Sequence, residues 1–390
     1  MEQTGVLISI SEIGRWSSFK SRLRTYTMVF ALLVIWVIFE FATNGAFLQA
    51  RNLSNLFRQM SVTGVLSVGM VLVIVAGHVD LSVGSVVCFL GALMSVMNTN
   101  HGLSPGVSLA VTVAAGLAIG FGQGFLVSYQ RVPAFIVTLG GMMAFRGASM
   151  WITSNSTVPL QENWISSVGT AYIPINLGWA LTGVALVVAS YNMIRAYQAN
   201  VRYGLDAPSP LVIAFRVATL AVVMIGFMGV LASYQGVPVP VLIMLVLMLG
   251  FNFIATKTTW GRHIYAIGGN VEAAYVSGIN VKLRTLGVFM LMGLLAAVGG
   301  VILTARVGSA SPDAGQLLEL DAIASCVIGG TSLMGGRGSI MGAILGALVM
   351  ESLNNGMSMA NIEPFWQYIV KGGVLVAAVW MDIASQDKRT

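Results

Sequence analysis

The chain has 390 residues, of which 56% are apolar and only 9% charged, against about 25% charged in a soluble globular domain. With a mean hydropathy of +0.85, this excludes a large soluble enzyme and describes a polytopic membrane protein. The net charge of +6 gives no reason to expect nucleic acid, because the basic residues form no patch and instead punctuate the gaps between apolar runs.

Residues 1–25 are polar through Arg24 and lack a signal-peptide cleavage site, so they read as a cytoplasmic segment leading into a retained first helix. Crossing the hydrocarbon core takes roughly 20 residues. On that measure twelve apolar runs follow: 26–47, 61–77, 82–98, 105–128, 134–153, 174–192, 211–233, 238–256, 285–306, 316–335, 338–358 and 364–382. The second, third and tenth are short or interrupted. The expected fold is all-α: a polytopic membrane helix bundle of about 10–12 crossings, forming a single transmembrane domain over 26–384. A polar loop at 257–284 and a tail at 385–390 complete it. The 45 glycines fit helices whose backbones approach closely.

Between runs two and three lies Gly77-His78-Val79-Asp80-Leu81-Ser82-Val83-Gly84. A charge at mid-membrane costs about 2.5–3.5 kcal/mol on insertion scales, so Asp80 does not face lipid. It can cap a helix opening near Ser82 at a backbone break eased by Gly77 and Gly84. Broken helices of this kind also line pathways for polar solutes, so capping and solute contact both stand for Asp80, Ser82 and Gly84. Arg146, in run five, is expected to seek a carboxylate. Further on, Asn270-Val271-Glu272-Ala273-Ala274-Tyr275-Val276-Ser277-Gly278 reads as a short polar-edged helix. Asn270 serves as N-cap, Glu272 suits the dipole of the first turn, and Gly278 suits the C′ position. About two turns do not hold alone in water, so a partner is expected there.

Run ten opens with Glu319 and Asp321, an acidic pair preceding a small-residue helix that stops at Gly329-Gly330-Thr331-Ser332. Run eleven carries Glu351, Asn354 and Asn355, polar groups that bond across helices or face a cavity. Trp164 and Trp366, near run ends, read as interfacial anchors. Cys88 and Cys326 stand in apolar surroundings and imply no disulfide framework. His78, His101 and His263 are scattered, with no metal-binding spacing, and Gly329–Gly338 lacks the lysine of a phosphate loop. No cofactor is expected in this chain, and any ATP would be bound by another subunit.

If all twelve runs cross from a cytoplasmic N-terminus, fourteen basic residues fall inside, and only Arg51, Arg58 and Arg306 fall outside. That bias places both termini, and the 257–284 loop, in the cytoplasm.

The spacing Glu-Ala-Ala-x-x-x-Gly at 272–278 resembles the loop by which permeases of ABC importers dock into their ATPase. Other segments point the same way: Arg51-Asn52-Leu53-Ser54-Asn55-Leu56, Asp80-Leu81-Ser82-Val83-Gly84, Val132 to Gly140, Gly261-Arg262-His263 through Asn270, Ser277-Gly278-Ile279-Asn280, and Glu319 to Ser332. In this order the chain, from about Arg51 onward, resembles the permease subunits of monosaccharide ABC importers, the ribose, galactose and xylose group. About sixty residues with two apolar runs precede Gly236-Val237-Pro238-Val239-Pro240, an insertion that makes it most similar to the xylose type. His78 departs from the group, which often has a small or acidic residue there.

The resemblance implies a bacterial inner-membrane permease working by ATP-driven alternating access. Its implied partners are an ABC ATPase subunit, a periplasmic sugar-binding protein and a second permease copy. Its cargo would be a monosaccharide such as D-xylose. ATPase coupling would then fall to Arg262, Asn270, Glu272, Ala273, Ala274 and Gly278. The pathway candidates are Asp80, Ser82, Gly84, Glu319, Asp321, Thr331, Ser332, Asn354 and Asn355. A proton-coupled secondary transporter would also explain carboxylates in the membrane, but it gives the Glu272 helix no task. A membrane-embedded enzyme would need a nucleophile–base pair or a metal cluster, and the sequence offers neither.

Overall fold

The computed structural model describes residues 27–205 and 207–386. The expected cytoplasmic segment at 1–25 and most of the 385–390 tail lie outside them. Among the described residues the long elements are helices. They are α1 (Thr27–Ala42), α2 (Ala50–Val75), α3 (Val83–Ser95), α4 (Pro105–Ser128), α5 (Ala134–Ile152), α6 (Trp164–Thr170), α7 (Ile175–Arg202) and α8 (Pro210–Ala232). After these come α9 (Val239–Lys257), α10 (Thr259–Gly269), α11 (Val271–Val276), α12 (Val281–Val307), α13 (Leu318–Ile328), α14 (Ile340–Met359) and α15 (Pro364–Gln386). A π-helical turn, Val96–Asn100, extends α3. Nine of the described helices are long and apolar enough to cross a membrane.

Two antiparallel clips of two residues per strand close one end of the bundle. β1 (Val158–Pro159) pairs with β4 (Ser309–Ala310), and β2 (Tyr172–Ile173) pairs with β3 (Val237–Pro238). The 257–284 loop closes the other end. These are called the clip side and the loop side below.

The core is built around α2, which is buried almost throughout from Leu53 to Val75. It begins eleven residues before the apolar run expected at 61–77. Arg51, Asn52, Asn55, Arg58 and Gln59 depress hydropathy there, but Leu53, Leu56, Phe57 and Met60 recur at helical spacing and are buried. Asn52 donates to Asn355 Oδ1 (2.9 Å), and Arg58 donates to the Gly169 carbonyl (2.7 Å) and the Tyr172 hydroxyl (3.2 Å), so this polar turn is pinned on the clip side. The long helix α12 crosses α4 backbone to backbone at Gly116 and Gly293, where a methyl group on either glycine would meet the other's carbonyl oxygen. By contrast α5, α7, α8 and α15 bury little of their surface within this chain, as expected of helices facing lipid or another subunit.

The tenth run does not form a crossing helix. α13 has only 11 residues, about 16 Å at 1.5 Å per residue, half of the hydrocarbon thickness. Residues 311–317 before it are irregular, and the acidic pair sits inside its first turn instead of preceding it. α14 has 20 residues and carries Glu351, Asn354 and Asn355 within it.

Candidate functional site

The first site is the break between α2 and α3. Asp80 is buried, and its Oδ1 accepts from the Ser82 amide (2.8 Å) and the Ser82 hydroxyl (2.6 Å). Gln123 on α4 donates to the same hydroxyl (2.8 Å). Asp80 thus satisfies the amide just ahead of α3, while Ser82 is the N-cap residue and makes no side-chain cap bond. Gly84 packs against the Gly315 carbonyl and Glu319, tying the start of α3 to the irregular segment before α13.

That segment is held by Arg146. Among the described residues it meets no carboxylate within bonding distance, contrary to the sequence expectation; instead Nη1 donates to the carbonyls of Pro312 and Ala314, both at 2.9 Å. Irregular backbone inside a membrane leaves carbonyls unpaired, and a guanidinium with several donors can satisfy two at once. α13 then starts from Leu317 in the left-handed region (φ 63°). In its first turn Asp321 Oδ2 accepts from Lys371 Nζ of α15 (3.0 Å) and from Asn354 of α14 (3.2 Å). Glu351, one helical turn before Asn354, accepts a short hydrogen bond from Thr63 of α2.

A cavity of about 560 Å³ opens between α5, α13 and α15, with Ser85, Arg146, Gln316, Glu319, Asp321 and Lys371 supplying its polar lining. Of the pathway candidates, only Glu319 and Asp321 line it. Asp80 and Ser82 line neither this cavity nor the smaller one described below, and Asn355 is taken up by Asn52 on the clip side. Thr331 and Ser332 lie past the end of α13, where the Thr331 amide bonds back to the Cys326 carbonyl (2.9 Å) and the Ser332 amide to that of Arg337 (2.9 Å). They belong to the loop-side turn and are separated from Glu319 and Asp321 by the length of α13.

The second site is the 257–284 loop. Asn270 caps α11, its side chain accepting from the Ala273 amide (2.9 Å). The helix ends with the Gly278 amide bonded to the Tyr275 carbonyl (2.9 Å) and the Ile279 amide bonded to the Ala274 carbonyl (3.1 Å), with Gly278 at φ 82°. This is a complete Schellman termination. Ala274 is buried while Val271, Tyr275 and Val276 are exposed, so the tip presents apolar side chains at the surface. Sequence reasoning did not single these out, although the i, i+4 pairing of Val271 and Tyr275 was readable.

Preceding α11, and not expected as a helix, is α10. Thr258 caps it through the Gly261 amide (3.2 Å), and Gly261, Ile264 and Ile267 form its buried stripe. The missed signal was that apolar spacing behind a threonine cap. Arg262 sits on its outer part. The end of α10 is welded to the membrane core: Gly268 lies against the Val75 carbonyl that closes α2, and the Gly336 amide donates to that same carbonyl (2.9 Å). The Tyr265 hydroxyl donates to the Gly338 carbonyl (2.9 Å), and burial pushes its phenol pKa up.

A family model described as branched-chain amino acid transport system / permease component matches residues 52–379. The chain belongs to that family. It is 45% identical over 382 residues to the xylose transport system permease protein XylH of Escherichia coli K12, covering 98% of this chain and 97% of that protein. The same identity holds over 368 residues with XylH of Haemophilus influenzae, 94% and 98% of the two chains. The ribose import permease protein RbsC of Bacillus subtilis is 34% identical over 350 residues, 90% of each chain. No solved structure matches. As a multi-pass permease of this family, the chain is a transport subunit and not an enzyme. The broken helices and the welded loop are therefore to be read as parts of a transport machine.

Proposed function

We propose that this permease forms the membrane pathway of an ATP-driven importer for D-xylose or a closely related aldose in the bacterial inner membrane. Two copies pair, an ABC ATPase docks on the α10–α11 loop, and a periplasmic sugar-binding protein delivers cargo to the clip side. Both termini face the cytoplasm. The observation that carries this reading is the similarity to xylose permeases at 45% identity over nearly the whole chain, against 34% for the ribose permease. The loop supports it physically, because a short capped helix with Val271, Tyr275 and Val276 exposed is an apolar tip suited to a partner surface. Arg262, Asn270, Glu272, Ala273, Ala274 and Gly278 shape that docking element.

Pairing is supported by the faces of α5 and α15. Arg146 and Lys371 lie on these poorly buried helices beside the open cavity, and charges there would be costly against lipid. A second copy and an aqueous route would cover them.

The test is reconstitution of the permease with its ATPase and binding protein in proteoliposomes. Uptake of labelled xylose that requires ATP and survives a protonophore is expected. Uptake driven by a proton gradient without ATP would replace this reading with a secondary transporter, and uptake of ribose but not xylose would remove the substrate assignment alone. Reporter fusions in the 257–284 loop and after Arg389 should read cytoplasmic.

A further inference from the structure

Two cavities meet at a single helical turn. The larger, about 560 Å³, is the one between α5, α13 and α15; a smaller one, about 160 Å³, lies between α2, α12 and α14. Half-buried Gln59, Arg306 and Asn354 line the smaller cavity with Val62, Thr63 and Glu351, and Arg306 at the end of α12 places it on the clip side. Asp321 lines both. The wall between them is the first turn of α13. Gly84 packs against its Glu319, but its side-chain hydrogen bonds to neighbouring helices are the Lys371–Asp321 ion pair at 3.0 Å and the Asn354 amide at 3.2 Å, and it starts at Leu317 in a backbone region uncommon for a residue other than glycine.

The chemistry of the lining points to the guest. Asp321 Oδ1 and Asn354 Oδ1 are buried without a hydrogen-bond partner among the described residues, and such acceptors favour water or a guest with hydroxyl donors. Arg146 and Lys371 balance Glu319 and Asp321 around the larger cavity, so its net charge selects for no ion. Its volume is within the roughly 300–1,000 Å³ of small-molecule sites, and the smaller cavity holds about five waters at about 30 Å³ each. We infer that the two cavities are successive parts of one route for an uncharged polyhydroxylated solute, with the first turn of α13, latched by Lys371 and Asp321, as the gate between them. This rests on the import reading above.

The experiment uses the complete importer in proteoliposomes and reads ATP-independent leak of labelled xylose. Breaking a buried ion pair is strongly destabilising to the arrangement it holds, so Asp321→Asn and Lys371→Met should each raise leak about tenfold or more. The exchange Asp321→Lys with Lys371→Asp should bring leak back towards wild type. Val62→Trp, which fills the smaller cavity, should abolish ATP-driven uptake while the ATPase still binds. Unchanged leak in both single variants, or wild-type uptake by Val62→Trp, would overturn the route.

A second readout needs no sugar. With Cys88→Ala and Cys326→Ala, a cysteine placed at Ala324 in the larger cavity should react with an impermeant thiol reagent from the clip side faster when Lys371→Met is added. Equal rates would overturn the gate. Faster reaction in an importer that takes up no aldose would keep the gate and refute only the substrate reading.

Discussion

Replacing Gly278 tests the docking loop without touching any cavity. Gly278 sits at φ 82°, and a side-chain Cβ there would meet nothing within 4 Å among the described residues, so within this chain the penalty for a side chain is one of backbone conformation. Left-handed geometry costs an L-residue about 1–2 kcal/mol, and a β-branched residue is worse placed than alanine. A loss of one or two kcal/mol changes a local equilibrium by a factor of about 5–30. The element exposed to that factor is small: α11 has six residues, and its end depends on the two Schellman bonds from Gly278 and Ile279. Gly278→Ala should weaken ATPase binding within that range, Gly278→Val should weaken it more, and Gly278→Asn should stay close to wild type because asparagine tolerates this conformation. Titration of purified ATPase onto permease in nanodiscs measures the series, and xylose uptake should fall in the same order. Equal affinity across all four proteins, with unimpaired uptake, would refute the assignment of α11 as the docking element.

Asp80→Asn keeps an acceptor for Ser82 and should express near normally, whereas Asp80→Leu leaves the buried Ser82 amide unpaired at about 1–3 kcal/mol; membrane yield and thermal unfolding compare them. Gly268→Ala drives a methyl group into the Val75 carbonyl, an overpacking expected to cost about 1–3 kcal/mol or more. Its signature should be a lowered unfolding temperature together with ATPase activity that no longer responds to the loaded binding protein. Arg146→Met removes both donors to the Pro312 and Ala314 carbonyls, hydrogen bonds from a charged group worth about 1.5–3 kcal/mol each. It should lower yield and uptake sharply, and Arg146→Lys should recover part of both.

The crossing helices were legible because lipid demands long apolar runs and internal backbone pairing. Where a helix is shielded by its neighbours, that demand lapses and the signal changes. The first three turns of α2 are as polar as a loop in composition, yet helical, because Arg58 and Asn52 find partners across the bundle. Run ten was apolar enough to suggest a crossing, but the segment ahead of α13 is held open by tertiary bonds from Arg146, which no local pattern in 311–317 reveals. The caps of α11 were readable, since Asn270 and Gly278 act through local backbone geometry alone. The gathering of Glu319, Asp321, Arg146 and Lys371 around one cavity was not, since those residues come from three separate helices.

The geometry also joins the two sites. The carbonyl of Val75 ends α2 just before the Asp80 break, and it receives both the Gly336 amide and the packed Cα of Gly268. Gly336 belongs to the turn that follows α13, and Tyr265 of α10 is bonded to Gly338 in the same turn. One end of α13 is therefore fastened to the docking loop, and its other end carries Asp321 and the ion pair with Lys371. A helix of 11 residues spans roughly 16 Å, so on the proposed function a displacement of α10 by a docked ATPase would be delivered to the wall between the cavities. A full crossing helix in this position would bring its polar turn to the membrane surface. The short helix keeps it inside the bundle, where on the proposed route a small movement would connect two polar spaces.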